Sequence, residues 1–163
     1  MSSHHAAGQV SYHDQSFGGA LFPRGSRPLR VLWVDDSEVL LSLYRAVFES
    51  LGFEVVTTPS PAEALERLSW DPADLAILDY NMPEMDGGTL AAMIKSRTPV
   101  MPVILYTATT SVPRRARCWV DAICAKAAPQ RELLEEVRRL LRKSPNRRPR
   151  SSQPLSTPQS AAA

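Results

Sequence analysis

Five side chains with complementary chemistry stand at the ends of apolar runs: Asp35 and Asp36, Asp79, Thr107 and Lys126. Any one of them has an ordinary explanation, since aspartate often ends a strand simply to cap the next helix. Together they are three carboxylates, a hydroxyl and an amine. Three carboxylates gathered within about 4 Å repel by roughly 4 kcal/mol per pair at an effective dielectric near 20, so such a cluster calls for a cation. Oxygen-only ligands favour magnesium, which keeps several waters and typically joins one or two carboxylates to phosphate oxygens. In that setting a carboxylate can act as a nucleophile towards phosphorus and form an acyl phosphate. The metal and a lysine would neutralise charge in the in-line transfer.

The residues converge only if the chain between them folds suitably. Five apolar runs, at residues 30–36, 53–57, 74–79, 101–107 and 121–126, alternate with stretches of helical period. That pattern belongs to a parallel sheet covered by helices on both faces. Five βα units predict an α/β, flavodoxin-like doubly wound five-stranded parallel sheet of strand order 2-1-3-4-5, with the functional crevice at the carboxyl ends of the strands. The first helix is read from Leu40, Leu43, Tyr44, Val47, Phe48 and Leu51, and Gly52 stops it. Ser60, Pro61 and Glu63 predict a second helix opened by a capping box. A third follows Gly87, and a last one carries Leu133, Leu134, Val137, Leu140 and Leu141 at helical spacing. Between Thr107 and Cys118 the helical signal is weak, and Pro113 fits only near a helix start.

Composition sets the outer limits. The 163 residues, 44% hydrophobic and 22% charged, suit one domain with a real core. The expected layout is a disordered tail over 1–28, a folded domain over 29–143, and a disordered, basic, Pro/Ser-rich tail over 144–163. No apolar stretch is long enough to span a bilayer and no secretory signal opens the chain, so no membrane partner and a cytoplasmic location are expected. Cys118 and Cys124 match neither a redox pair nor zinc spacing and read as ordinary thiols. His4, His5 and His13 lie in the first tail without a further ligand or a fold to hold a metal. The formal charge of +2 conceals a basic run of Arg142, Lys143, Arg147, Arg148 and Arg150. It could touch nucleic acid, but with no interleaved aromatics and no reading helix a solvated tail is the favoured reading. Trp33, Trp70 and Trp119 read as core or partly exposed packing.

The segments VDDSEVL, LDYNMPEMDGG and LYTA, with the lone Lys126, together resemble the receiver domains of response regulators over about residues 29–143. The resemblance implies Asp79 as phosphoacceptor, and Asp35 and Asp36 as the acidic pair that holds Mg2+. It adds Asn81 as a metal ligand through its backbone carbonyl, Thr107 as a hydrogen-bond partner of the phosphoryl oxygen, and Lys126 as its ion-pair partner. It also implies a phosphohistidine donor on a sensor histidine kinase or phosphotransfer protein, and an unidentified downstream protein as target. The chain would then be a single-domain regulator rather than an enzyme, modifying itself without turning over an outside substrate. It departs from the family in three ways. Ala127 follows the lysine where proline is usual, so the loop should be trans and the lysine differently aimed. Ile123 takes the place of the switch aromatic, and the interval from Thr107 to Lys126 is short, which removes part of the fourth helix. Two other readings compete. A phosphatase of the haloacid dehalogenase class would want aspartate where Asn81 stands, and a degenerate receiver would dock unphosphorylated.

Overall fold

A computed structural model describes residues 27–109 and 111–143. The three histidines, the predicted 144–163 tail and most of the 1–28 tail lie outside the described residues. The chain runs β1 (Arg30–Val34), α1 (Glu38–Ser50), β2 (Glu54–Thr58), α2 (Pro61–Trp70), β3 (Leu75–Leu78), α3 (Gly87–Arg97), β4 (Val103–Thr107), α4 (Arg114–Arg117), β5 (Ala122–Ala125) and α5 (Gln130–Lys143). The strands form one sheet of order β2-β1-β3-β4-β5, with every pairing parallel, as predicted.

Because crossover helices cover both faces, the central strands β3 and β4 are buried throughout, and they are apolar up to Thr107, the last residue of β4. Alternate side chains feed two cores. One, between the sheet and α1 and α5, holds Trp33, Tyr44, Phe48, Tyr106 and Val137. The other, between the sheet and α2, α3 and α4, holds Leu32, Leu65, Leu78, Leu90 and Ala116. In the first, Trp33 stacks on Tyr44 with ring centroids 4.4 Å apart and meets Phe48 edge-on at 5.0 Å, pairings worth about 0.5–1.5 kcal/mol each beyond the area they bury.

Local chemistry sets the helix ends. Ser37 caps α1, and Gly52, at φ 89°, turns the chain out of it. The buried stripe of α1 differs from the reading by periodicity. Leu41, Tyr44 and Phe48 face the core, whereas Leu43 is 55% exposed. The α2 capping box is half formed. Ser60 accepts from the Glu63 N–H, but Glu63 accepts from the Thr58 hydroxyl, and the Ser60 N–H donates to Thr58 instead. The Thr58 hydroxyl, followed by Arg67, holds the Glu63 carboxyl below its ordinary range. Trp33 is fully buried, while Trp70 and Trp119 are exposed.

The fourth helix is a single turn with no side-chain cap. It rests on α3, where a Cβ on Gly88 would meet the Ala116 Cβ at 2.4 Å. So short a helix leaves the outer face of the edge strand β5 uncovered, and Ile123 is 40% exposed. Among the described residues no helix is long and apolar enough to cross a membrane.

Candidate functional site: an acidic pocket at the strand ends

In a parallel sheet all the strands end on one side, so residues just past β1, β3, β4 and β5 meet there. Asp35 and Asp36 follow β1 directly, Asp79 follows β3, Thr107 closes β4 and Lys126 follows β5. Hydrogen bonds extend the strand pairing to these positions: Asp79 N–H donates to the Val34 carbonyl at 2.8 Å, and Lys126 N–H to the Thr107 carbonyl at 2.9 Å.

The three carboxylates converge. One oxygen from each of Asp35, Asp36 and Asp79 lies within 4.8 Å of the other two. Asp35 is 1% exposed and Asp79 7%, whereas Asp36 opens to solvent. The Lys126 ammonium enters from β5, with Nζ 2.6 Å from Asp35 Oδ2 and 3.2 Å from Asp79 Oδ2. Burial draws the Lys126 pKa down, but the hydrogen bond to Asp35 and the charges of Asp35 and Asp79 outweigh it, and the net result is a rise. The peptide between Lys126 and Ala127 is trans, as expected, and the amine lies between the two carboxylates, with the Lys126 backbone tied to β4.

The remaining carboxylate oxygens are partly engaged by backbone donors: Ser37 N–H donates to Asp35 Oδ1 at 3.0 Å, and Tyr80 N–H to Asp79 Oδ1 at 2.7 Å. The cluster thus carries three negative charges against one positive. An all-oxygen donor set with that imbalance fits a small divalent cation such as Mg2+.

Thr107 is fully buried, and its hydroxyl oxygen accepts from Thr109 N–H at 3.2 Å, which leaves the hydroxyl proton free to donate. Asn81 lies exposed in the loop between β3 and α3. Neither is bonded to a carboxylate of the cluster, so the structure brings together Asp35, Asp36, Asp79 and Lys126, with Thr107 and Asn81 at the same end of the sheet.

Sequence reasoning treated Gly87 only as a helix start. A Cβ there would lie 2.0 Å from the Asp79 carbonyl oxygen, and the Gly87 N–H donates to the Tyr80 carbonyl at 3.0 Å. The loop after Asp79 folds back on itself, and α3 begins against the backbone of the central carboxylate. The paired glycines in the sequence were the available signal. Glu84, in the same loop, has φ 66°, a conformation that disfavours any residue with a Cβ. The thiols behave as read: both are free, and burial pushes Cys124 up to about 11, so it stays protonated at neutral pH.

Residues 31–138 match the family model described as the response regulator receiver domain. Among curated proteins, the chain is 45% identical over 87 residues to the transcriptional regulatory protein GlrR of Escherichia coli, covering 53% of this chain and 20% of that protein. It is 37% identical over 118 residues to the transcriptional regulatory protein PrrA of Mycobacterium tuberculosis, covering 70% and 50%. The chain therefore spans half the length of PrrA and a fifth of GlrR. Among solved structures it resembles the response regulator TrrA of Thermotoga maritima in complex with Mg2+-BeF, at 29% identity and TM-score 0.66 over 69% of this chain and 98% of that one. It also resembles a CheY-like receiver domain of Methanospirillum hungatei, at 26% identity and TM-score 0.67 over 72% and 96%.

Proposed function

The chain belongs to the response regulator receiver domain family, a signalling domain of two-component systems, and on that premise we propose that it is a phosphorylation switch whose acceptor is Asp79. The observation that carries this reading is the placement of the Lys126 ammonium between the buried Asp35 and Asp79 carboxylates, with Asp36 completing the acidic cluster. Support for the metal comes from the all-oxygen donor set and from TrrA, which was solved with Mg2+ and BeF.

In the proposed reaction a carboxylate oxygen of Asp79 attacks the phosphorus of a phosphohistidine on a kinase or phosphotransfer protein. A P–O bond forms as the P–N bond breaks, and the imidazole nitrogen leaves with the electron pair and is protonated. Asp35, Asp36, Asp79 and the Asn81 carbonyl would hold Mg2+, which supplies charge neutralisation for the phosphoryl oxygens. Lys126 contributes a second positive charge and, by pairing with Asp35, holds that carboxylate in position. The Thr107 hydroxyl, free to donate, moves onto a phosphoryl oxygen once the group is in place. A hydrogen bond to a charged group is worth about 1.5–3 kcal/mol, enough to shift a two-state population roughly ten- to a hundredfold.

Intact-mass measurement of the protein with Mg2+ and acetyl phosphate, beside an Asp79→Asn control, tests the reading. A single phosphoryl adduct that disappears without Mg2+ and in the control is the expected result. No adduct, with acetyl phosphate or with a panel of histidine kinases, sinks the proposal and leaves a receiver that docks unphosphorylated. The exposed Ile123 and the one-turn α4 favour that second reading.

A further inference from the structure

Helices α1, α2, α3 and α5 have 13, 10, 11 and 14 residues, whereas α4 has 4. Each face of a doubly wound sheet is completed by such helices, so the deficit falls on one strip of one face. Side chains alternate along β5. Ala122 and Cys124 turn towards the α1 and α5 side, where Cys124 is buried and Ala122 packs against the same core. Ile123 and Ala125 therefore turn to the other face, that of α2, α3 and α4, and both are exposed. The turn into β5 adds Trp119, which is 46% exposed.

Beside this apolar strip the charge is of one sign. Arg114, Arg115 and Arg117 are all exposed. Arg117 donates from Nε to the Val112 carbonyl at 2.8 Å, but the guanidinium groups of Arg114 and Arg115 have no hydrogen bond or ion pair among the described residues. Asp121 is the one carboxylate between positions 111 and 125. It is already engaged: Oδ2 lies 2.7 Å from Lys95 Nζ and accepts from Val103 N–H at 2.8 Å. Glu132 and Glu136, the carboxylates whose charge reaches Cys124, belong to α5 on the opposite face.

We infer that the strip left open by the short α4 is the docking site of an acidic amphipathic helix from a partner protein. The apolar face of that helix lies on Ile123, Ala125 and Trp119, and its flanking carboxylates meet Arg114 and Arg115. Docking requires no phosphoryl group on Asp79, because the strip is already open.

Three features select this occupant. A sheet face is completed by a helix, and the layer over β5 falls short by about two turns or more. Tryptophan and arginine are the side chains that dominate binding energy between proteins, and here they flank an aliphatic surface. The uncommitted charge is wholly positive, which steers an acidic partner. A second copy placed on the same strip about a two-fold axis would set arginines against arginines with no free carboxylate between them. A nucleic acid could stack a base on Trp119 and hold phosphates with the arginines, but it would leave Ile123 and Ala125 in water.

The test is fluorescence anisotropy on the full chain at physiological ionic strength. The probe is a labelled fourteen-residue helical peptide with Leu at i, i+3, i+4 and i+7, Glu on both flanks of that stripe and Ala elsewhere. Comparison probes are a peptide of the same composition with its Leu order scrambled, and a single-stranded oligodeoxynucleotide of equal charge. The variants are Ile123→Thr, which keeps a β-branched side chain in the strand, and the double variant Arg114→Glu with Arg115→Glu, which alters two exposed and unpaired charges. Circular dichroism confirms that both fold. The amphipathic peptide is expected to bind at least tenfold tighter than the scrambled one, and each variant to weaken it by about fivefold or more. Equal binding of the two peptides, or unchanged binding by either variant, would overturn the inference. Tighter binding of the oligonucleotide, insensitive to Ile123→Thr, would overturn it in favour of nucleic acid, and a dimer of the free chain in sedimentation equilibrium that Ile123→Thr dissociates would overturn it in favour of a second copy.

Discussion

Asp36→Asn should make the protein more stable without metal and less responsive to Mg2+. Asp36 is the exposed member of the acidic cluster, with an oxygen within 4.8 Å of oxygens on both Asp35 and Asp79 and no hydrogen bond among the described residues. At 4.8 Å, two negative charges repel by about 3.5 kcal/mol at an effective dielectric of 20 and by about 1 kcal/mol in bulk water. Asp36 takes part in two such pairs, so the bounds are about 2 and 7 kcal/mol. Its exposure puts the effect near the lower bound, about 2 kcal/mol, or roughly 5–10 °C in Tm for a domain of this size. Asparagine is close in shape, so packing hardly changes. A ligand that binds only the native state adds about 2.7 kcal/mol at a hundred times its Kd, and a missing carboxylate raises that Kd. Thermal unfolding in EDTA and then in millimolar MgCl2, for wild type and variant, reads both effects. The variant should melt higher in EDTA, and its lead should shrink or reverse with Mg2+. If it melts lower in EDTA, or gains as much from Mg2+ as wild type, the carboxylates are not a mutually repelling metal cluster.

Gly87→Ala would place a methyl 2.0 Å from the Asp79 carbonyl oxygen, so urea unfolding should show a loss of roughly 1–3 kcal/mol and acetyl phosphate labelling should slow. Wild-type stability with unchanged labelling would refute that close approach. Glu84→Gly removes a Cβ from a residue at φ 66°, where an L residue costs about 1–2 kcal/mol. After glycine's own entropic cost of about 0.5–1 kcal/mol, a gain of up to about 1 kcal/mol should appear as a higher urea midpoint. Lys126 has a folded pKa raised above 10.5, so its stabilisation is complete below pH 10.5 and is lost as pH climbs through the folded value. Chemical denaturation from pH 9 upward should therefore fall more steeply for wild type than for Lys126→Met, and parallel profiles would contradict the ion pair.

What the sequence made legible follows from how local each feature is. The strands are legible because β3 and β4, buried on both faces, form continuous apolar runs broken only by Thr107 at the end of β4, whatever packs on them. The α1 stripe could not be resolved. Val39, Leu40, Leu41 and Leu43 are all apolar, so 3.6-residue periodicity permits several faces, and only the seat of the helix beside β2 selects Leu41 over Leu43. The three carboxylates are visible as strand ends, but the lysine's approach to them is not legible from its neighbour Ala127. The deciding interaction is the hydrogen bond from Lys126 N–H to the Thr107 carbonyl, 19 positions back in sequence. Gly87's contact with Asp79 was hidden for the same reason, since it exists only once the loop has folded back. The short interval before Lys126 was legible, and its structural result is a one-turn α4 wedged on Gly88 of α3, with Ile123 left open beside it. On the phosphorylation reading, a displacement that starts at Thr107 enters that turn and meets α3 at once through Ala116. An aliphatic side chain that already faces solvent has no buried position to vacate, so the output of this receiver should travel through the α4–α3 contact rather than through residue 123.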